Sequence, residues 1–409
     1  MKKKIVVLGT GYVGLPAALF LARAGQTVIG VDINENIVRA INDGVLHIKE
    51  TELQKIMDEP RVRRNLKAQH VPCEADVFLI AVPTPIDEKK KVAEMRFVRE
   101  AAQSIVPFLR AGNLVILEST VPPLTCRNFL TPIIEKSGLV VGKNLFLAHC
   151  PERILPGDVF REIVYNDRII GAMDQAARDK AQEIYRLFVK GNLYQTDDIT
   201  AEMCKLMENT YRDVNVALAN EFAAVMEGLG IDPMRAIALA NKHPRVNILE
   251  PGIGVGGHCI PLDPWFIKEV DPENSRLIFT SRLINDEMPA RIAGKIRRAL
   301  RDVPNPHIVA IGAAYKANAD DVRESPALKI VQLLQQDGYQ VDHFDPLVSG
   351  MDYSSIAEIC QGQDALVILV EHNVVQGDLK KNSKKICSSL RRPIILRFFP
   401  KDPRDGSPA

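Results

Sequence analysis

The feature that most constrains the fold is a glycine-rich turn between an apolar strand and a helix near the start of the chain. Residues 5–8 form an apolar run, GTGYVG occupies residues 9–14, and a second apolar run at residues 28–31 ends at Asp32. A G-x-G-x-x-G turn in this setting, with an acid about 20 residues further on, is the pattern of a dinucleotide site. The sequence therefore predicts a βαβ unit that binds a dinucleotide at its first turn.

Each position of this unit has an expected role. The first glycine makes the turn, the second lets the backbone approach a pyrophosphate, and the third lets the helix pack on the strand. The helix N-terminus then faces the phosphates. Asp32 is expected to bind the ribose hydroxyls and to repel a 2′-phosphate, which favours NAD over NADP. The expected cofactor contacts in this unit are Gly9, Gly11, Tyr12, Val13, Gly14 and Asp32.

Further apolar runs continue the parallel-sheet pattern, at residues 76–82, 114–117 and 145–149. Ligands of open α/β sheets bind beyond the carboxyl ends of the strands. Thr120 and Glu152 follow two of these runs closely, so they are well placed for chemistry. Spacing alone leaves two alternatives open, a cap or turn for Thr120 and a solvated loop charge for Glu152.

A second glycine-rich stretch, GIGVGGHCIPLDPWF at residues 252–266, carries a candidate nucleophile. Its glycines and prolines predict a shaped loop and not a helix. Cys259 follows a double glycine, and Asp263 comes four residues later. A thiol on a rigid loop beside a carboxylate suits covalent catalysis. The alternative is a buried cysteine in a tight turn.

The segment before this loop predicts a long helix, which Asp198 or Thr200 caps. Lys205, Asn209 and Arg212 fall at i, i+4 and i+7, so they share one face of the helix. A lysine and an amide on one face can polarise a carbonyl or stabilise an oxyanion. Periodicity by itself favours the alternative of a solvated polar face.

After this helical region the strand–helix pattern returns and predicts a second, smaller doubly wound sheet. Its elements are expected at residues 307–311, 326–336, 341–344 and 365–370. Lys316 and Arg323 lie in its first crossover, where they suit phosphate contacts or a solvated surface equally. The predicted fold is therefore α/β, with an N-terminal Rossmann domain (1–197), a central helical domain (198–300) and a C-terminal Rossmann-like domain (301–409).

Composition limits the partners and the compartment. With 409 residues and a net charge of +1, the chain is too long for one core and has no overall field to attract nucleic acid. No apolar run approaches a membrane-spanning length. Seven scattered cysteines without a CxxC pair favour reduced thiols in a cytoplasm. A metal site from His149–Cys150 and His258–Cys259 is disfavoured, because adjacent side chains seldom face one metal.

Several motifs taken in order resemble the nucleotide-sugar 6-dehydrogenases, the family that oxidises a UDP-hexose to its uronic acid. They are GTGYVG at Gly9, ESTVPP at Glu118, CPERILPG at Cys150, KLMEN at Lys205, GVGGHCIPLDPWF at Gly254 and KANADDVRESP at Lys316. The resemblance extends from Lys4 to about Val375. Within the family, HPRVNILEPGIGVGGHCIPLDPWFI at residues 243–267 resembles the branch that oxidises UDP-N-acetyl-D-mannosamine.

The resemblance implies a four-electron oxidation with NAD, through a thiohemiacetal and a thioester on Cys259. It assigns catalysis to Cys259, Lys205, Asn209, Asp263, Thr120 and Glu152. It implies substrate contacts from Glu152, Arg153, Lys205, Asn209, Arg212, His243, Arg245, Gly256, His258 and Lys316, and further cofactor contacts from Thr84, Thr120 and Arg323. It also implies a homodimer or higher even oligomer, in which Arg245 reaches the active site of a neighbouring subunit.

Three alternatives remain at this point. One is a UDP-N-acetyl-D-glucosamine 6-dehydrogenase. Another is a two-electron hydroxyacid dehydrogenase of similar domain order, which has no need of Cys259. The third is a non-catalytic binding regulator, which need not retain Cys259 or Lys205.

The end of the chain departs from the family pattern. The family usually closes with a strand that ends in an aspartate–arginine pair, whereas this tail reads RRPIILRFFPKDPRDGSPA. Residues 380–392 are basic and show no clear periodicity. The last edge of the second sheet is therefore left without a prediction.

Overall fold

The computed structural model describes residues 2–48, 50–87, 89–154 and 159–398. The chain divides into an N-terminal unit, Met1–Glu208 with Trp265–Pro272, and a C-terminal unit, Asn209–Pro264 with Glu273–Ala409. Each unit contains its own sheet. The predicted α/β class is confirmed.

The N-terminal unit is built around one large sheet. Its strands in the described ranges are β1 (Lys4–Leu8), β2 (Thr27–Val31), β3 (Leu66–Gln69), β4 (Val77–Ile80), β5 (Ile86–Asp87), β6 (Val92–Ala93), β7 (Leu114–Leu117), β8 (Phe146–His149), β9 (Arg168–Ala172) and β10 (Leu193–Thr196). Eight of these described strands form a sheet in the order β10–β9–β8–β7–β4–β1–β2–β3, and β5 pairs with β6 in a hairpin. The sheet is parallel except that β8 and β9 are antiparallel.

Helices cover both faces of this sheet. They are α1 (Gly14–Arg23), α2 (Glu35–Asp43), α3 (Thr51–Met57), α4 (Pro60–Asn65), α5 (Arg96–Ile105), α6 (Thr131–Ile134), α7 (Val159–Tyr165) and α8 (Gln175–Tyr185), with 3-10 turns at Val106–Phe108 and Glu135–Ser137 and a π-helix at Thr125–Leu130. Ile5 and Val7 of β1 pack in one core, and Val6 and Leu8 pack in the other. Burial on both faces explains why the strands read as continuous apolar runs.

The middle of the chain is helical. Its helices are α9 (Asp198–Gly228), α10 (Pro233–Ala240), α11 (Asp263–Val270) and α12 (Arg276–Leu300). The predicted cap of α9 was wrong: the Asp197 carboxylate accepts hydrogen bonds from the Thr200 amide (3.0 Å) and hydroxyl (2.6 Å). The predicted loop at 252–266 also extends less far than expected. The loop ends where α11 begins, at Asp263. Pro264 does not prevent this, because proline is tolerated in the first turn of a helix.

The C-terminal unit has a smaller, fully parallel sheet. Its strands are β11 (His307–Ile311), β12 (Gln340–Phe344), β13 (Ala365–Ile368) and β14 (Ile394–Arg397), in the order β12–β11–β13–β14. Its helices are α13 (Pro326–Gln336), α14 (Ile356–Ile359) and α15 (Asn373–Ser389). The tail therefore completes the sheet: most of the basic run lies in α15, and β14 pairs with β13. Residues 399–409 lie outside the described part of the chain.

None of the helices in the described ranges combines the length and apolar character needed to cross a membrane.

Candidate active site

The turn after β1 has the shape that a dinucleotide requires. Gly9 has a φ of +83°, and a Cβ there would lie 2.6 Å from the carbonyl oxygen of Ala81. A Cβ on Gly14 would overlap the carbonyl oxygen of Gly9. At Gly11 the space beside the backbone contains no described atom within 4 Å. The outer two glycines are thus required by packing, and the middle one leaves room for a phosphate, so the turn fits NAD.

Asp32 is held in place at the end of β2. Its Oδ2 accepts hydrogen bonds from the amide and the hydroxyl of Thr10, both at 3.0 Å, and its Oδ1 accepts one from the Asn34 amide at 3.0 Å. Of the other expected cofactor contacts, Tyr12 is 45% exposed and Val13 directly precedes α1. The structure therefore gathers the glycine turn, Tyr12 and Asp32 at one edge of the sheet.

The loops that follow β4 and β7 are joined by hydrogen bonds. The Thr84 hydroxyl donates to the carbonyl oxygen of Thr120 over 2.6 Å, and the Ser119 hydroxyl donates to that of Val82 over 2.6 Å. Thr84 and Ser119 are both buried. The two predicted threonines thus lie together, on loops that fix each other.

Helix α9 holds the segment that follows Thr120, a connection that the sequence analysis did not predict. The buried Glu202 carboxylate accepts hydrogen bonds from the amides of Leu124 (2.6 Å) and Cys126 (2.8 Å). Burial raises the pKa of Glu202 to about 7, against the lowering effect of these donors. One turn earlier, Asp198 forms an ion pair with Arg127 at 2.8 Å. Glu202 lies three residues before Lys205, so the helix that carries this lysine also fixes the threonine loop.

Glu152 does not lie in a solvated loop. It is 8% exposed, and its Oε2 accepts a hydrogen bond from Arg168 Nη2 at 2.8 Å. Its Oε1 accepts one from the Arg153 amide at 2.6 Å. The Arg153 guanidinium pairs with Glu208 at 2.8 Å. Arg168 was not predicted from the sequence. This arginine begins β9, whereas its partner Glu152 follows β8, and the sequence did not show that these two strands are neighbours. The part of the CPERILPG motif at residues 155–157 lies outside the described residues.

The polar face of α9 differs along its length. Lys205 and Asn209 are half-buried, whereas Arg212 is exposed. Asn209 Nδ2 donates a hydrogen bond to Asp263 Oδ2 at 2.6 Å. The alternative of a solvated polar face therefore holds for Arg212, whereas the amide of Asn209 is bound to Asp263.

The cysteine loop packs against the first crossover of the second sheet. A Cβ on Gly256 would lie 2.7 Å from the carbonyl oxygen of Glu324 and 2.8 Å from Tyr315 Cβ. The Gly257 amide donates to the carbonyl oxygen of Arg323 over 3.0 Å. Cys259 itself is exposed, so the buried alternative does not hold. The double glycine is needed because any side chain there would separate the two loops.

The charged residues of this crossover lie beside the loop. Arg323 pairs with Asp321 at 2.6 Å. Burial lowers the pKa of His258, and the nearby Arg323 lowers it further, so the imidazole is neutral at pH 7. Lys316 is exposed, with its ammonium 5.6 Å from the centre of the Tyr315 ring. The structure thus brings together Gly256, His258 and Arg323.

His243 and Arg245 lie on an exposed segment after α10. The Arg245 amide donates to His243 Nδ1 over 3.3 Å, which orients the two residues locally. None of the seven cysteines, all of which lie within the described ranges, forms a disulfide. Within the described ranges, no three or more His, Cys, Asp or Glu side chains are grouped so as to hold a metal ion.

Sequence profiles of three domains match this chain. They are those of the UDP-glucose/GDP-mannose dehydrogenase family: its NAD binding domain at residues 3–189, its central domain at 199–287 and its UDP binding domain at 309–397. The chain belongs to this family. It is an NAD-dependent nucleotide-sugar dehydrogenase, so the predicted resemblance, cofactor and enzyme class are confirmed.

Relatives and solved structures agree over nearly the whole length. A UDP-N-acetyl-D-mannosamine dehydrogenase from Methanocaldococcus jannaschii is 47% identical over 399 residues, which cover 96% of this chain and 91% of the relative. An NDP-N-acetyl-D-galactosaminuronic acid dehydrogenase from Ralstonia nicotianae is 42% identical over 386 residues, 90% of this chain and 91% of the relative. The structure of a UDP-D-ManNAc dehydrogenase from Pyrococcus horikoshii has a TM-score of 0.91 at 40% identity and covers 98% of this chain and 97% of that one. The predicted order of an N-terminal Rossmann domain, a helical centre and a C-terminal Rossmann-like domain is confirmed.

Proposed function

We propose that this dehydrogenase oxidises UDP-N-acetyl-D-mannosamine at C6 to UDP-N-acetyl-D-mannosaminuronic acid. The named relatives support the sugar, and the exposed Cys259 supports the four-electron chemistry. A two-electron hydroxyacid oxidation would need no thiol at this place. The proposal rests on one observation: Cys259 is exposed, on a loop whose double glycine packs closely against the first crossover of the second sheet.

The chemistry requires two oxidations and one hydrolysis. NAD, when bound, accepts a hydride from C6 in each oxidation. The Cys259 thiolate adds to the C6 aldehyde and forms a thiohemiacetal, whose oxidation gives a thioester. Water then displaces the thiol and leaves the carboxylate. Holding the aldehyde on Cys259 keeps this reactive intermediate on the enzyme between the two oxidations.

Other side chains have proposed roles in stabilising charge and moving protons. Asn209 is a proposed oxyanion donor: Asp263 accepts one of its amide hydrogens, which orients the second one. Lys205 is proposed as a second donor to the oxyanion. Thr120 is proposed to orient the hydrolytic water, and Glu152, held by Arg168, to exchange protons.

Binding roles are proposed by region. Residues 1–197 bind NAD through Gly9, Gly11, Gly14 and Asp32, with Tyr12, Val13, Thr84 and Thr120 beside the cofactor. Residues 198–300 carry Lys205 and Cys259, and residues 301–409 bind the UDP group. Proposed sugar-nucleotide contacts are Glu152, Arg153, Lys205, Asn209, Arg212, His243, Gly256, His258 and Lys316. Arg323 was predicted as a cofactor contact, and its place beside Gly257 also suits an anionic substrate group.

A homodimer, or a multiple of it, is the proposed assembly. Helix α9 and Leu229, the residue that follows it, present an apolar stripe in the C-terminal unit. Its members follow the helical period: Tyr211 (66% exposed), Leu218 (42%), Phe222 (41%), Val225 (62%) and Leu229 (70%). A second copy of the chain would cover this stripe, and Arg245 would then act on the neighbour's substrate. The absence of disulfides among the seven cysteines, all of them described, supports a cytoplasmic location.

The test is product analysis with a panel of nucleotide sugars. We expect UDP-N-acetyl-D-mannosamine to be oxidised with higher kcat/KM than the glucosamine and galactosamine epimers or UDP-glucose, with two NADH formed for each uronic acid. Because polar groups that the wrong epimer leaves unpaired can reject it strongly, the difference can exceed tenfold. Preference for the glucosamine epimer would reassign the substrate but keep the chemistry. One NADH per product would contradict the thioester mechanism.

A further inference from the structure

Two buried carboxylates in the N-terminal unit share one buried arginine. Arg168 Nη2 lies 2.8 Å from Glu152 Oε2, and Arg168 Nη1 lies 3.8 Å from Glu118 Oε1. The exposed fractions of the Glu118, Arg168 and Glu152 side chains are 0%, 4% and 8%. Two negative charges and one positive charge in such a site leave a net buried charge, which is costly in a low-dielectric interior. One of the carboxylates is therefore expected to hold a proton.

The surroundings decide which carboxylate is neutral. Glu152 accepts hydrogen bonds from the Arg168 guanidinium and from the Arg153 amide. Glu118 accepts one at 2.5 Å from the Tyr185 hydroxyl, a neutral donor, and its Oε2 has no hydrogen-bond partner among the described residues. Charged donors stabilise a carboxylate more than neutral ones. Glu152 thus retains its negative charge, and Glu118 takes the proton.

The titratable groups that face Glu118 act on its pKa in both directions, and the effects that raise it are together the larger ones. Burial, the largest effect, raises the pKa of Glu118 to about 7, while Arg168 on β9 lowers it and the charge of Glu152, after β8, raises it. Burial also raises the pKa of Tyr185 on α8 and of Cys150 at the end of β8, so both remain neutral. Pairs of carboxyl groups whose environments separate their pKa values recur where acid–base roles are divided.

We propose that Glu118 is a positioning residue for Glu152: in its protonated form, Glu118 leaves the charge of Arg168 to Glu152. When Glu118 ionises, two carboxylates compete for one guanidinium. The hydrogen bond that orients Glu152 is then weakened. This inference rests on the proposed acid–base role of Glu152. It gives a function to the glutamate of the ESTVPP motif, for which the sequence suggested none.

Infrared titration tests the protonation directly. The wild-type enzyme is expected to show the carbonyl band of a buried protonated carboxylic acid at pH 6, which disappears as the pH is raised to 9. The difference spectrum between the wild type and Glu118→Gln isolates the Glu118 component of this band, because burial also raises the pKa of Glu202 to about 7 and that of Asp213 to about 6. Tyr185→Phe keeps the Glu118 component and moves its loss to higher pH, because the carboxylate then lacks its hydroxyl donor. A band that is the same in Glu118→Gln as in the folded wild-type enzyme overturns the proposal.

The positioning role is tested by the pH profile of kcat/KM for uronic acid formation. The wild-type profile is expected to have an inflection near pH 7 that is lost in Glu118→Gln and shifted upwards in Tyr185→Phe. Loss of a purely structural contact would lower the rate at every pH without moving the inflection, and that result overturns the role. The infrared measurement needs no substrate. A wild-type enzyme that forms no uronic acid therefore contradicts the proposed function. The infrared band would still show whether Glu118 is protonated.

Discussion

Asn209 Nδ2 donates a hydrogen bond to Asp263 Oδ2 over 2.6 Å, which ties a side chain of α9 to the first residue of α11. Asp263 also donates its amide to the carbonyl oxygen of Cys259 over 2.9 Å. The amide of Asn209 is thus oriented by the same short segment that carries the thiol. An orienting contact of this kind is what a preorganised oxyanion donor needs.

Asn209→Ala is expected to lower kcat for acid formation by about a hundredfold to a thousandfold, the usual loss for one oxyanion donor. Steady-state kinetics with NAD in excess measures the change. Asn215→Ala is the matched control, because this asparagine of the same helix bonds the carbonyl oxygen of Tyr211. Equal effects of the two substitutions would contradict the role of Asn209.

Cys259→Ser is expected to reduce uronic acid formation by roughly a thousandfold or more, because the covalent step loses its nucleophile. Binding of NAD and of the sugar nucleotide should persist in calorimetry. Cys387→Ser provides the control, since Cys387 is another exposed cysteine. Near-normal acid production by Cys259→Ser would remove the covalent mechanism.

The elements that local pattern determines were the easiest to predict. The predicted bounds of β7, β11 and α13 match the structure to the residue, because apolar runs and a proline mark their ends. The strand β9, which is antiparallel to β8, was missed: it begins with an arginine, and periodicity alone does not give the direction of a strand. The tail was also beyond prediction, since α15 has a kink at Asn382 that interrupts its pattern.

Much of the candidate site depends on contacts between residues distant in the chain. The sequence singled out Cys259 and Lys205 by their motifs, and their roles stay proposals. It gave no reason to choose Glu202 or Arg168, because both act through partners more than fifteen residues away. The sequence placed Tyr315 only in a turn. In the structure its side chain lies within about 3 Å of the position that a Cβ on Gly256 or Gly257 would occupy.

Asp32→Ala is expected to weaken the preference for NAD over NADP by roughly tenfold to a hundredfold, equivalent to about 1.4–2.8 kcal/mol. The carboxylate that Thr10 and Asn34 hold in place is then absent, so the 2′-phosphate is no longer repelled. The ratio of kcat/KM for the two cofactors measures this. Asp43→Ala, an exposed acid at the end of α2, should leave the ratio unchanged. An unaltered ratio in Asp32→Ala would show that the ribose assignment is wrong.

Val225→Glu combined with Leu229→Glu is expected to convert the wild-type oligomer into monomers, because two charges would be buried against an apolar partner surface. Light scattering after size exclusion measures the mass. Val71→Glu is the control, since Val71 is 62% exposed and belongs to the N-terminal unit, whereas the stripe belongs to the C-terminal unit. A wild-type enzyme that is active as a monomer would contradict both the interface and the role of Arg245.

The start of the cysteine loop is anchored by a buried polar network. Asn220 Oδ1 accepts a hydrogen bond from the Gly252 amide at 2.8 Å, and Asn220 Nδ2 donates to Asn285 Oδ1 at 3.0 Å. Asn285 Nδ2 in turn donates to Asp213 Oδ1 at 2.9 Å, and Asp213 forms an ion pair with Arg282. Asp213 and Arg282 are 0% and 1% exposed, so the pair has little access to water.

Asp213→Ala is expected to lower the free energy of unfolding of the enzyme by roughly 3–5 kcal/mol, because it leaves the Arg282 guanidinium buried without its closest carboxylate. Asp286→Ala removes the other carboxylate that pairs with Arg282, at 2.8 Å, but Asp286 is 45% exposed and the loss should stay within about 1 kcal/mol. Denaturant unfolding of both variants measures the difference. The double substitution Asp213→Leu with Arg282→Met should recover much of the loss, since an apolar pair of similar volume can replace a buried ion pair. If Asp213→Ala and Asp286→Ala are equally stable, burial does not govern this pair and the anchor of the cysteine loop lies elsewhere.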